Sequence, residues 1–274
     1  MSQPIHVVDA FTSAPFRGNP AAVCLLDAPA EAPWMQQVAA EMNLSETAFV
    51  HPAGPPGTCG LRWFTPTTEV PLCGHATLAA AHTLWAEGWL PQESPARFET
   101  ASGLLTAQRH GGKIELDLPA LPVEPAPLPA ALTAALQDLQ PVASGRSGAH
   151  WLVQLATAAD VRAFRPDHAA LRPLLPELLI VTAAGQGDPE PAPDIVSRVF
   201  GPAIGIDEDP VTGAAHCILA PWWSERLGKE ILLAHQASAR GGELEVELRG
   251  PRVLLRGSAV TVLRGALTPQ AAAG

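Results

Sequence analysis

The feature that most constrains this chain is that it repeats itself. Arg62-Trp63-Phe64-Thr65-Pro66 returns as Arg198-Val199-Phe200-Gly201-Pro202, 136 positions later, and Thr100-Ala101-Ser102 returns at the same offset as Gln236-Ala237-Ser238. Between these anchors, Cys73-Gly74-His75-Ala76 is answered by Thr212-Gly213-Ala214-Ala215 at an offset of 139. Three matches in one order point to two similar halves. Each half reads as strand, acidic loop, Gly, uncharged helix and meander. An exposed helix shows a polar face. These two carry almost no charge, so each needs strands wrapped around it. The expected class is α+β: two similar domains, each wrapping strands around its own central helix. With 274 residues, 47% of them apolar, the chain can build two such cores, and disorder throughout is excluded.

Local patterns fill in the elements. Alternation over 5–10 and a short apolar run over 21–26 predict strands, joined by the turn-rich Ser13-Ala14-Pro15-Phe16-Arg17-Gly18-Asn19-Pro20. Trp34, Val38 and Met42, four apart, predict a helix over 33–42 that stops at Asn43. Strands are expected over 47–51 and 61–65, a helix over 75–87, and a meander over 97–118 turning at Gly111-Gly112. A Pro-rich stretch begins at 119. It sets the expected boundary between an N-terminal domain, 1–118, and a C-terminal domain, 119–274, with a terminal strand free to cross back to the first. A short helix over 130–139, strands over 151–155 and 178–182, and a polar loop over 185–194 follow.

Net charge is -10, from 17 basic and 27 acidic residues, with no basic cluster longer than a pair. Nucleic acid and anionic membrane are therefore not expected partners. No apolar run approaches the ~18 residues of a membrane span. The first residues show neither a basic n-region nor an h-region, so no export leader is expected. Cys24, Cys59, Cys73 and Cys217 are far apart with no CxxC, which suits a reducing cytoplasm. There is no HExxH or other ligand spacing, hence no expected metal. The lack of GxGxxG, GxxxxGK[ST] and GxSxG argues against dinucleotide, nucleotide and serine-hydrolase chemistry.

Chemistry-bearing candidates are few. Gly74 and Gly213 each start a helix, with unpaired backbone N–H groups and the positive end of a dipole. If the halves face one another, both ends converge on a cleft suited to a substrate carboxylate; otherwise each Gly serves only tight helix geometry. Glu46, in Met42-Asn43-Leu44-Ser45-Glu46-Thr47, has no cation nearby in sequence. Buried, it is a proton carrier; exposed, it is a surface carboxylate at a strand start. Of Asp207-Glu208-Asp209-Pro210, Asp209 is the one expected in the cleft opposite Glu46, unless all three acids merely complement the helix that follows. His75, in a first helical turn, is disfavoured as imidazolium and suits a neutral hydrogen-bond donor. His82 and His216 read as satisfied core residues. Asn19 is a turn former or a site residue.

These residues also sit in recognisable motifs. The segments Val8-Asp9-Ala10-Phe11-Thr12, Gly18-Asn19-Pro20-Ala21-Ala22-Val23, Met42-Asn43-Leu44-Ser45-Glu46-Thr47-Ala48-Phe49, Phe64-Thr65-Pro66, Glu69-Val70-Pro71-Leu72-Cys73-Gly74-His75-Ala76-Thr77 and Asp209-Pro210-Val211-Thr212-Gly213 resemble, in order, those of the phenazine-biosynthesis PhzF-like isomerase family. The resemblance implies the diaminopimelate epimerase-like fold, each domain a barrel-like β-sheet around a central helix, and a cofactor-independent, homodimeric isomerase acting on a small carboxylated substrate. The type reaction moves a proton along the ring of trans-2,3-dihydro-3-hydroxyanthranilate. By the same resemblance Glu46 is the acid/base, His75 and Asp209 are catalytic partners, Asn19 lies near substrate, and Gly74, Gly213 and Ala214 bind it. Where the family often has Ser, this chain has Ala214, and a hydroxyl for a substrate oxygen is missing. The related epimerases place a cysteine at the start of each helix. Here Cys73 occupies the first such place; the second falls near Pro210, with Cys217 two turns beyond, so Cys73 reads as packing. The other reading kept open is a non-catalytic small-molecule-binding or scaffold protein on the same fold.

Overall fold

The computed structural model describes residues 2–55, 57–136, 139–185 and 192–268. The chain divides into two compact units, Met1–Asp117 with Arg256–Gly274, and Leu118–Leu255.

In the first unit, β1 (Gln3–Ala10) runs antiparallel to β2 (Asn19–Leu25). Helix α1 (Ala32–Met42) crosses over to β3 (Glu46–Pro52), parallel to β2. Asn43 ends α1 in the left-handed region at φ 49°, where Asn is tolerated better than other non-glycine residues. Antiparallel β4 (Thr58–Phe64) and the short β5 (Glu69–Val70) lead into α2 (Gly74–Ala86). β6 (Ala96–Thr100) returns parallel to β4, and β7 (Gly103–His110) and β8 (Lys113–Pro119) complete the meander.

The second unit opens with β9 (Glu124–Pro125) and α3 (Ala130–Ala135), then β10 (Ala143–Ser147) antiparallel to β11 (His150–Gln154). Two short helices, α4 (Ala158–Ala163) and α5 (His168–Leu171), cross over to β12 (Leu179–Ala184), parallel to β11. β13 (Ile195–Gly201) and β14 (Ile206–Asp209) follow antiparallel, then α6 (Gly213–Leu227). β15 (Ile231–Gln236) returns parallel to β13 and pairs antiparallel with β16 (Gly242–Arg249). Through β17 (Arg252–Gly257) the chain reaches β18 (Ala259–Leu267), which lies antiparallel on β1 in the first unit.

The order of pairings is therefore the same in both units, and the repeated sequence shows why. Arg62 grips Glu69 through Nε and Nη2, both at 2.7 Å; Arg198 grips Glu208 through the same two nitrogens at 2.7 and 2.8 Å. Each guanidinium also lies over the Phe two residues on, 5.2 Å from Phe64 and 5.0 Å from Phe200. Those rings meet Phe49 and Phe164 edge-on. Ser102 Oγ donates to Pro71 O at 2.7 Å, and Ser238 Oγ to Pro210 O at 2.8 Å. Contacts found twice are what this fold itself requires.

The central helices are buried nearly all round, as their lack of charge demands. α2 packs against β1, β2, β3, β7 and β18, and α6 against β15 and β16. The outer face of the first sheet is covered by α1 through Met35, Val38 and Ala39; the second is covered by Leu132, Val161 and Leu171 of α3, α4 and α5. α6 contains Pro221, which cannot donate to Cys217 O. That carbonyl instead accepts the N–H of Leu121 at 3.0 Å, so the Pro-rich opening of the unit repairs the helix it lies beside.

Several expectations need adjustment. The acidic run at 207–209 is a strand, not a loop, because Glu208 is neutralised by Arg198 on the paired strand. The helix expected over 130–139 ends at Ala135. Of the loop expected over 185–194, residues 186–191 lie outside those described. Among the described residues, no helix is long and apolar enough to cross a membrane.

Candidate active site

In the first unit four side chains meet at the start of α2. Asn19 opens β2 and is fully buried. It is held there by the turn before it. Gly18 has φ +64°, and a Cβ at that position would stand 2.1 Å from Ala10 O, so only glycine fits. The same turn holds Phe11 and Phe16 at φ 62° and 66°, and the buried Asp9 carboxylate accepts the Phe16 N–H at 2.6 Å. Glu46 begins β3 opposite Ala21 of β2, which places it beside the strand carrying Asn19; it is only 9% exposed.

His75, in the first turn of α2, lies between them. Asn19 Nδ2 is 3.2 Å from its Nδ1, and Cys73 Sγ is 3.5 Å from the same nitrogen. An amide NH2 and a thiol are both donors, so Nδ1 accepts and the ring proton belongs on Nε2. Nε2 faces Glu46 Oε2 at 3.3 Å. The approach is off the line of a good hydrogen bond, and Nε2 has no aligned partner among the described residues. Burial pushes His75 down from 6.5 to about 3. The ring is thus neutral at physiological pH, and the pair is a neutral donor beside a carboxyl group rather than an ion pair.

Glu46, Cys73 and His75 also form a group that could hold a metal ion, with ligand atoms within 4.8 Å of one another. Cys73 and Asn19 lie on the Nδ1 side of the ring and Glu46 on the Nε2 side. The sequence reading gave Cys73 a packing role alone; its sulfur lies against the His75 ring. Its repeated position at a helix start was the available signal.

In the second unit the corresponding helix start gathers Asp209, Thr212, Gly213, Ala214, His216 and Gln236. Thr212 is the N-cap residue of α6 as Cys73 is of α2, so the place equivalent to Cys73 is Thr212 rather than the neighbourhood of Pro210. Thr212 Oγ1 donates to Asp209 Oδ2 at 2.5 Å. The fully buried Gln236 accepts the Thr212 N–H through Oε1 at 2.9 Å, and its Nε2 donates to Asp209 O at 2.7 Å and Thr212 Oγ1 at 3.2 Å. His216 Nδ1 donates to Thr212 O at 2.8 Å, while its buried Nε2 has no partner among the described residues, so this histidine is only half satisfied. Burial lowers it from 6.5 to about 4. Neither N-cap side chain caps its helix, and neither first turn carries an acid. Both helix ends therefore present backbone N–H groups and positive dipole to an anion. None of Asp207, Glu208 and Asp209 serves as the N-cap of α6.

The repeat tells site residues from fold residues. Phe64 pairs with Thr47 and Phe200 with Leu179, so the second-unit counterpart of Glu46 is Leu178. The counterpart of His75 is Ala214. The fold thus forms without either polar side chain at these places.

The sequence matches the family model described as phenazine biosynthesis-like protein over residues 8–265. It is 47% identical over 268 residues to an uncharacterized isomerase of Halalkalibacterium halodurans, spanning 97% of this chain and 99% of that one. A crystal structure of a phenazine biosynthesis protein of the PhzF family from Enterococcus faecalis superposes with TM-score 0.91 at 38% identity, covering 98% of this chain and 100% of the other. A probable proline racemase from Agrobacterium radiobacter, 12% identical, shares the fold with TM-score 0.61 over 97% of this chain and 93% of its own.

Proposed function

Because the chain belongs to the phenazine biosynthesis-like protein family and is an isomerase, we propose that Glu46 moves a proton between two carbons of one small, conjugated, carboxylated substrate. The Glu46 carboxylate takes a proton from an activated C–H. The released electron pair shifts through the conjugated system. The protonated Glu46 then returns the proton to another carbon, and the carboxylate is regenerated. Nothing is oxidised, and no cofactor takes part. His75 Nε2–H stabilises negative charge on a substrate oxygen, and it can do so at neutral pH because burial keeps the ring uncharged. In the first unit Asn19 fixes the His75 tautomer and the first-turn amides at Gly74 suit a carboxylate; in the second, the first-turn amides at Gly213 and Ala214 suit one as well, and Asp209 is the residue proposed to orient substrate. Ala214 offers no hydroxyl, and the one at that helix start, on Thr212, is already given to Asp209.

The observation that carries this reading is a buried carboxylate 3.3 Å from a neutral ring N–H, at a place where the repeated unit has leucine. The reaction is of the trans-2,3-dihydro-3-hydroxyanthranilate isomerase type. A homodimer belongs to the same proposal, as does a reducing cytoplasmic location, which four widely spaced cysteines with no CxxC pairing suit. The test is to incubate the protein in heavy water with a panel of dihydroaromatic and amino acids and to follow deuterium incorporation by NMR. Incorporation into a dihydroaromatic acid supports the reading. Incorporation only at the α-carbon of an amino acid, blocked by thiol reagents, replaces it with an epimerase.

A further inference from the structure

We propose that Gln236 and Thr212 are positioning residues that set the orientation and proton order of Asp209; this rests on the reading above, in which Asp209 meets substrate. Gln236 is completely buried and its amide has one consistent orientation. Oε1 must accept, since it faces the Thr212 N–H, and Nε2 must then donate to Asp209 O and Thr212 Oγ1. A hydroxyl that accepts from Nε2 has its own proton to give, and Asp209 Oδ2 lies 2.5 Å away to take it. The chain of donors runs one way, from amide to hydroxyl to carboxylate. Oδ2 is held as an acceptor, which fixes the orientation of the carboxyl group.

The repeat supplies an internal control. Thr100 occupies the place of Gln236 in the first unit, and its hydroxyl bonds locally, donating to Gly103 O at 2.7 Å and accepting the Ser102 N–H at 3.1 Å. The neighbouring serine contact, Ser102 to Pro71 and Ser238 to Pro210, is made in both units. The fold therefore needs the serine, while the glutamine bridge is an addition in the unit that carries Asp209.

The test uses the full chain labelled with 13C at aspartate carboxyl carbons, with the Asp209 resonance assigned by its loss in Asp209→Asn. Thr212→Val and Gln236→Leu are expected to move that resonance at neutral pH; Thr212→Ser is expected to leave it in place. On a substrate that exchanges deuterium, Thr212→Val and Gln236→Leu should lower kcat about tenfold with KM within about twofold, Thr212→Ser should restore it, and neither change should add to Asp209→Asn. An unmoved resonance in Gln236→Leu, or full loss in Thr212→Ser, overturns the proposal. If Asp209→Asn is inactive while Thr212→Val turns over normally, the proposal fails and the active-site reading stands. If Asp209→Asn turns over like the wild type, the role given to Asp209 fails and takes the proposal with it.

Discussion

Lowering the pH from 7 to 5 should destabilise this protein through two buried histidines. His75 and His216 bind a proton at about 3 and about 4 in the folded chain, against 6.5 when exposed, and in both cases burial is the main cause. The unfolded chain therefore takes up protons from about pH 6.5 downward while the folded chain does not. Stability from this source is full above 6.5, falls as pH drops, and levels off once the pH is below the folded values. At pH 5 the unfolded chain is favoured by about 1.5 pH units' worth of binding at each histidine, or roughly 2 kcal/mol each and about 4 kcal/mol together. Other groups also titrate, so the quantity to read is a difference. Urea unfolding at pH 7 and pH 5 is compared for wild type and for His75→Asn with His216→Asn, in which Asn Oδ1 can take the accepting place of His75 Nδ1 and Asn Nδ2 the donating place of His216 Nδ1. The double variant should lose about 4 kcal/mol less over this range, whatever its stability at pH 7. An equal pH dependence in both proteins would refute the claim that these rings are buried uncharged.

Other outcomes follow from the same structure. Glu69→Ala removes an exposed ion pair and should cost under about 1 kcal/mol, whereas Glu208→Ala strands the buried Arg198 and should cost about 3 kcal/mol, both read from urea midpoints. Gly18→Ala forces a Cβ against Ala10 O at positive φ. It should destabilise by roughly 1–3 kcal/mol and slow turnover by displacing Asn19, checked by melting and by the exchange assay. Burial pushes Cys24 and Cys217 up to about 12, so neither should react with a disulfide reagent in the native protein at pH 8, as mass mapping of labelled peptides will show.

How much was legible in the sequence depends on the range of the interactions. Local periodicity placed β1, β2, α1, β3, α2 and the turn at Gly111-Gly112, because each buries a face that its own spacing announces. The repeat announced the second copy, since Arg62 and Arg198 recur with the Phe rings they cover. β14 read as a loop because three successive acids hide the alternation, and only its partner on β13 explains Glu208. Pro221 inside α6 is tolerated through a carbonyl taken by Leu121, a hundred residues away, which no local window contains. At the site, Glu46, His75 and Asn19 were nameable from motif and residue type. Gln236 was not, because it owes its place to a contact that only the folded sheet and helix create, and the contact of Cys73 with the His75 ring was likewise hidden although its place at the helix start was visible.

The most direct measurement of the central claim is deuterium incorporation from heavy water by Glu46→Gln beside the wild type, on whichever acid the wild type exchanges. Gln keeps the size of Glu46 and an acceptor oxygen to face His75 Nε2 but cannot carry the proton. A folded Gln variant should therefore be slowed at least about 100-fold. A folded Gln variant that exchanges at the wild-type rate would contradict the account.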